Sequence, residues 1–368
     1  MAGTPGMSFD AANTQSSRSS CETPQVTALQ FFDCMHEAFG RAALTTGVVE
    51  RWYQLAGYAV KLKFAGAGLI PLLTPALSNA IASLDCADLT ICLWDTHSTG
   101  IKPAPAPWRE HYARRGEIRG FNTDRIYTVY EHESCGLCML DADRNLAVFW
   151  ALEADRIPYW VKGSPLRTIL HWWMGNRDAQ LVHSAAVGLP DAGVLITAKS
   201  GSGKSTTALS CLHAGMLYAG DDYVIVRSSP APHVYSLYNT AKCVSERLPS
   251  FPELRAHIDN PDRLDTEKAL LFLGNSHAKQ IATGFPLKAI LVPHVSGLTE
   301  TTLRKISAAA AFRALAPSTI FAHPRGGETE FRFLAELTKK LPCYVLECGT
   351  EISQIPPVVL ELLSDKTA

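Results

Sequence analysis

Apolar and polar positions change rhythm several times along the chain, and the changes outline its organisation. Residues 1–25 are rich in Ser, Thr, Gly and Pro with no apolar period, which predicts a disordered tail. Residues 28–43 place apolar side chains at helical spacing. Short strand-like runs follow at 53–64, 89–94, 125–130 and 147–152. Pro103, Pro105 and Pro107 predict a loop within this region, and Gly163-Ser164-Pro165 punctuates its end. The expectation is a smaller N-terminal α/β domain over 26–164. Pro165 then opens a helix carrying Leu170, Trp172 and Trp173, with the tryptophans as packing anchors.

The remaining residues, 165–368, have a different rhythm. Strand patterns at 181–187, 194–197, 223–226, 289–292, 303–306 and 344–347 alternate with helical patterns at 206–214, 308–315, 329–340 and 357–363. The predicted fold class is α/β, with the smaller α/β domain in front of a larger one. No internal repeat is visible.

Composition narrows the classes of partner. The chain has 368 residues, 47% hydrophobic, with 34 basic and 35 acidic side chains, so its net charge of −1 offers no field to gather nucleic acid. Residues 64–84 carry no charge and are long enough to cross a bilayer, but Pro71, Pro75, Ser78 and Asn79 predict a strand end, a loop and a buried helix instead. The opening residues lack the basic and apolar regions of a signal peptide. Ten cysteines without a regular framework fit a reduced, cytoplasmic chain. Cys135 and Cys138, with His132 nearby, are read as ordinary thiols beside a turn, because no second pair accompanies them as zinc ligands.

The chemistry concentrates in one stretch. Ala198-Lys199-Ser200-Gly201-Ser202-Gly203-Lys204-Ser205 follows the apolar run 193–197 and precedes a helical pattern opened by Thr206, the context a phosphate-binding loop requires. Gly201 and Gly203 let backbone N–H groups turn inward around phosphate oxygens, and the helix N-terminus adds its partial positive charge. Ser200, Gly201, Ser202, Gly203, Lys204, Ser205 and Thr206 are the candidate nucleotide-binding residues. Lys204 would bridge the β- and γ-phosphates of ATP or GTP, and the Ser205 hydroxyl would take one position on Mg²⁺. The helix places Ala208, Leu209, Cys211 and Leu212 on an inner stripe and stops at Gly215.

Asp221-Asp222 forms the second element. A carboxylate at the end of a strand beside a phosphate loop can hold Mg²⁺, and one aimed at the γ-phosphate can take the proton of an attacking hydroxyl. Two in a row allow both roles, and their mutual repulsion raises one pKa unless Mg²⁺ and Lys204 offset it. Lys242, Lys268, Arg313 and Arg325 are candidate cations to close over the transferred phosphoryl.

With His183, the loop and Asp221-Asp222 in this order and spacing, the region 181–226 resembles the HPr kinase/phosphorylase family. The runs Pro165-Leu166-Arg167, His171-Trp172-Trp173, Gly220-Asp221-Asp222-Tyr223 and Ser236-Leu237-Tyr238-Asn239-Thr240-Ala241-Lys242 look like the bacterial HPr-kinase-like proteins found with peptide-modification genes. The resemblance implies a P-loop kinase domain of that type, using ATP and Mg²⁺. It makes Asp221 the base on the acceptor hydroxyl, Asp222 a magnesium-site carboxylate and His183 a polar group near the transferred phosphate. It further implies a Ser or Thr hydroxyl of a peptide or small protein as acceptor, and a homo-oligomer.

Two departures limit the resemblance. The Glu-x-Arg-Gly signature of the phosphorylase side is missing after the Asp pair, and Glu117-Ile118-Arg119-Gly120-Phe121 is a coincidental match upstream of the loop. Thr206 stands where an acidic residue is frequent in HPr kinases. A kinase with another acceptor is therefore expected, against the alternatives of a small-molecule kinase, a phosphoenolpyruvate-carboxykinase-like enzyme or a nucleotide-sensing module without catalysis.

Overall fold

A computed structural model describes residues 26–108, 114–198, 201–321 and 327–364. The first helix, Ala28–Thr46, is closed at its start by a capping box between Thr27 and Gln30 and ends at Gly47, whose φ of 76° is open to glycine without strain. Its apolar stripe, including Phe31, Phe32, Met35 and Phe39, covers one face of a six-stranded sheet. That sheet contains β1 (Val48–Leu55), β2 (Tyr58–Ala65), β3 (Leu89–Asp95), β4 (Ile126–Glu131), β5 (Gly136–Asp141) and β6 (Leu146–Ala151), in the order β1-β2-β3-β6-β5-β4. The predicted run 53–64 is in fact two paired strands, because Ala56 and Gly57 both take positive φ and turn the chain back.

The stretch without charge after β2 forms a short helix, Ile70–Leu73, and a 3₁₀ helix, Pro75–Ala80. No described helix is long and apolar enough to cross a membrane.

The larger sheet has nine strands: β7 (Gln180–Val182), β8 (Ala185–Leu189), β9 (Ala192–Ile196), β10 (Leu217–Gly220), β11 (Val224–Arg227), β12 (His233–Tyr235), β15 (Gly284–Val295), β16 (Thr302–Ile306) and β17 (Cys343–Cys348). A separate two-stranded ribbon pairs β13 (Thr240–Cys243) with β14 (Ala269–Phe272). In the nine-stranded sheet, β15 lies parallel to both β9 and β17. The fold is thus mixed α/β with several sheets. The predicted strand 181–187 divides into β7 and β8, which pair with different neighbours, so His183 stands at the break between them.

One apolar cluster joins the two sheets. Val60, Leu62, Ile91 and Phe149 of the first pack with Ile169, Leu170 and Trp173 of the helix Arg167–Gly175 and with Leu181 and Ile225 of the second. Trp173 is fully buried at its centre, donates from Nε1 to Asn145 at 2.9 Å and meets Tyr58 edge-on. Trp173→Ala should therefore destabilise the chain by about 3–5 kcal/mol in equilibrium denaturant unfolding. A loss below ~1 kcal/mol would mean that the cluster does not couple the sheets.

Candidate functional site

β9 is buried along its whole length and leads into the Gly-rich loop 198–203 at its carboxyl end, beside β15. Gly193 allows this packing, since a Cβ there would collide with the ring of Phe285. Thr197 then donates its amide to Leu291 at 2.9 Å, fixing the strand exit. Lys199 and Ser200 lie outside the described residues. Gly201 and Gly203 have φ of 84° and 101°, so the turn into the helix Lys204–His213 needs the left-handed freedom of glycine at both. The first amides of that helix have no carbonyl one turn back to bond, and with the helix dipole they favour an anion at this point.

A cavity of about 340 Å³ opens over the helix start. Gly201, Gly203, Lys204, Ser205 and Thr206 line it together with His183 and Asp222. Of the loop residues named from the sequence, Ser202 stands between the two glycines and does not line the cavity among the described residues.

The two aspartates occupy different depths. Asp221 is 1% exposed; its Oδ1 accepts from Lys204 Nζ at 2.9 Å and its Oδ2 from the Lys242 amide at 3.2 Å. Lys204 Nζ also donates to the Asp221 carbonyl. Asp222, with a side chain 20% exposed, faces the cavity, accepts from Lys242 Nζ, and lies 3.6 Å from Lys204 Nζ and 3.7 Å from His183 Nε2. The His183 ring stacks on Tyr223 with centroids 4.9 Å apart, and Arg167 lies over the same tyrosine.

These contacts set the charges. Burial disfavours the Lys204 ammonium, but Asp221 and Asp222 outweigh it and raise its pKa above the usual lysine value. Burial likewise works against the Asp222 carboxylate, and Lys242, His183 and Lys204 overcome it, holding its pKa well below the ordinary range.

Of the candidate cations, Lys242 lines the cavity beside Asp222, and Lys268 lines it as an exposed side chain. Arg313, on the helix Ala308–Ile320, does not, and Arg325 lies outside the described residues. Cys138 Sγ contacts Glu131 and Cys135 Sγ contacts a backbone oxygen. Among the described residues no three His, Cys, Asp or Glu side chains cluster as metal ligands. Glu117 pairs with Val129 at the edge of the six-stranded sheet.

Sequence reasoning missed Tyr159, Arg247 and the apolar group Val295, Ile352 and Ile355, all of which line the cavity. They reach it from elements far apart in the chain, and no local spacing announces them.

No family model matches the chain, and no curated protein does. Among solved structures it is similar to the Hpr(Ser) kinase/phosphatase from Coxiella burnetii, at 10% identity and a TM-score of 0.29, over 50% of this chain and 95% of that one. The chemistry of these residues accordingly rests on their own geometry.

Because the folded-state pKa of Asp222 is depressed, its pairs contribute stability that is complete above the unfolded carboxylate value of about 3.9 and is lost as pH falls through the folded value. Asp222→Asn should destabilise the chain by about 1–3 kcal/mol at neutral pH, with the gap to wild type closing below about pH 4. Urea unfolding at a series of pH values measures this; a gap independent of pH would remove the ion pairs from the account.

Proposed function

We propose that this chain is an ATP- and Mg²⁺-dependent phosphotransferase that moves the γ-phosphoryl group to a Ser or Thr hydroxyl of a peptide or small protein. The observation that carries the reading is the meeting of Lys204, Asp222, His183 and Lys242 over the start of the helix Lys204–His213. Amides of the loop and Lys204 would grip the triphosphate, and Lys242 would neutralise charge that spreads over the transferred phosphoryl.

Two aspartates were given separate roles from the sequence, Asp221 as base and Asp222 at the metal. The burial of Asp221, with donors on both its oxygens, favours the other assignment for the base. Asp222 faces the cavity and is the group to orient the acceptor hydroxyl and take its proton, while Asp221 sets the position and charge of Lys204. His183 lies beside Asp222, where its ring can hydrogen-bond the phosphoryl group.

With Asp222 given to the acceptor hydroxyl, the Ser205 hydroxyl, beside Thr206 and Thr207 in the lining, is the oxygen donor left for Mg²⁺, which keeps much of its shell as water and substrate phosphate. When bound, the ion would neutralise the phosphate oxygens. Cytoplasmic ATP would supply the donor, and the protein would act as a soluble, homo-oligomeric enzyme without nucleic acid or membrane as partner.

Transfer of labelled γ-phosphate and ATP binding, measured side by side, test the assignment. Lys204→Ala should abolish detectable ATP binding and transfer together. Asp222→Asn should lower transfer by about 10²–10⁴-fold while ATP affinity stays within several-fold, whereas Asp221→Asn should weaken both by releasing Lys204. Wild-type transfer by Asp222→Asn would sink the base assignment, and ATP binding without any phosphoryl acceptor would favour a sensor.

A further inference from the structure

We propose that the arm between β13 and β14 makes this site select acceptor peptides whose hydroxyl is flanked by acidic side chains. The inference rests on the phosphotransferase reading and names the substrate class of the same site. The arm spans residues 244–268 and consists largely of three 3₁₀ helices, Ser245–Ser250, Pro252–His257 and Pro261–Arg263. It is not a loose excursion. Leu248, Phe251 and Leu254 are buried in the cluster that contains Cys211 and Leu212 of the helix after the phosphate loop. Ser245 Oγ donates to the Leu264 carbonyl at 2.5 Å, and Asn260 Oδ1 accepts the Leu270 amide at 2.8 Å, so both ends are tied down.

Each end of the arm brings one cation to the cavity, Arg247 at the start and Lys268 at the finish. Both are exposed, unlike Lys204 and Lys242, whose side chains are 12% and 13% exposed and belong to the inner charge cluster. The carboxylate next to Lys268 in sequence, Glu267, is engaged by Arg263 at 3.3 Å and Asn260 at 3.0 Å. Among the described residues, no carboxylate forms a salt bridge with Arg247 or Lys268. Val295 at the end of β15, Cys348 at the end of β17, and Ile352 and Ile355 after it also line the cavity; they carry no charge and suit a nucleobase.

The cavity lining thus carries Lys204, Lys242, Arg247 and Lys268 against one carboxylate, Asp222, while Glu246, Glu253, Asp259, Asp262, Asp265 and Glu267 of the arm do not line it. The triphosphate has the loop amides and Lys204 within the cavity, and the rim cations are left to meet an anion arriving from solvent. A rigid arm holds them there in advance, so an acidic acceptor would pay little ordering cost and a basic one would be repelled.

Three fluorescent peptides of equal length provide the test, each with a central serine flanked by Glu, by Ala or by Lys. Their binding to protein loaded with a non-hydrolysable ATP analogue is followed by anisotropy, and phosphorylation from labelled ATP is followed in parallel. The Glu peptide should bind and react about tenfold better than the Ala peptide, with the Lys peptide weakest and the preference shrinking in high salt. In the double variant Arg247→Ala, Lys268→Ala the preference should disappear while ATP affinity stays within about twofold of wild type. Equal use of the three peptides by wild type would overturn this proposal and leave the kinase reading standing. Loss of ATP affinity in the double variant would overturn it too, by returning the cations to the nucleotide. ATP binding with neither binding nor phosphorylation of any peptide would overturn both this proposal and the peptide-acceptor reading.

Discussion

The burial of four opposed charges at the end of β10 is the constraint on which the site depends. Lys204 and Lys242 bring two positive charges, Asp221 and Asp222 two negative ones, and the set is neutral as a whole. Removing such ions from water is costly, and only mutual attraction with nearly complete hydrogen bonding offsets the desolvation. The pKa directions agree: Lys204 is raised and Asp222 depressed, each against the opposing effect of burial. A triphosphate entering the cavity would bring negative charge to a place where the ammonium groups of Lys204 and Lys242 are already positioned. The electrostatic work of preparing the cations is done when the chain folds, which is preorganisation for an anion.

The parts legible in the sequence are those whose physics is local. Gly201 and Gly203 could be read because a left-handed turn before a helix leaves few alternatives to glycine. The helix Ala28–Thr46 was visible in its apolar spacing, and Asp221-Asp222 in its place between the helix after the loop and the strand pattern 223–226, whereas β10 before it was not read. Less legible was anything that depended on which strands become neighbours. His183 was placed inside one predicted strand, yet β7 and β8 part company on either side of it, and that break allows its ring to reach Tyr223 and Asp222. The difference in depth between adjacent aspartates was equally hidden, since it arises from the amide of Lys242, a residue 21 positions away in sequence from Asp221. Short strands such as β13 and β14 have too few residues for an alternation to stand out.

The position of Lys242 explains why the first half of the chain matters to a site built almost entirely from the second. The segment that leads to it is bonded, residue after residue, to elements before residue 166. Ser236 Oγ receives Asn79 Nδ2 at 3.1 Å, and Tyr238 donates its hydroxyl to the Pro165 carbonyl at 2.7 Å. Asn239 donates to Pro75 and Ser78, both at 2.8 Å, and Thr240 donates to the Gly163 carbonyl at 2.7 Å. Gly163 then leaves room for the lysine stem, because a Cβ there would stand 3.3 Å from Lys242 Cε and 2.9 Å from Leu270. Tyr159, one turn earlier, presents its ring 5.9 Å from the Lys242 ammonium.

A lysine has several rotatable bonds and loses much rotamer freedom when it is fixed. Here the backbone beneath it is immobilised by buried hydrogen bonds, and a glycine and an aromatic ring shape the space for its stem. The run 236–242 therefore reads as a strut: its polar side chains fasten it to the six-stranded half, and its one charged residue, Lys242, reaches Asp222. A change in packing around Pro75 or Gly163 would be transmitted to the ammonium group without touching the Gly-rich loop 198–203. That is a physical reason for the two halves to share one apolar cluster rather than meet through a flexible linker.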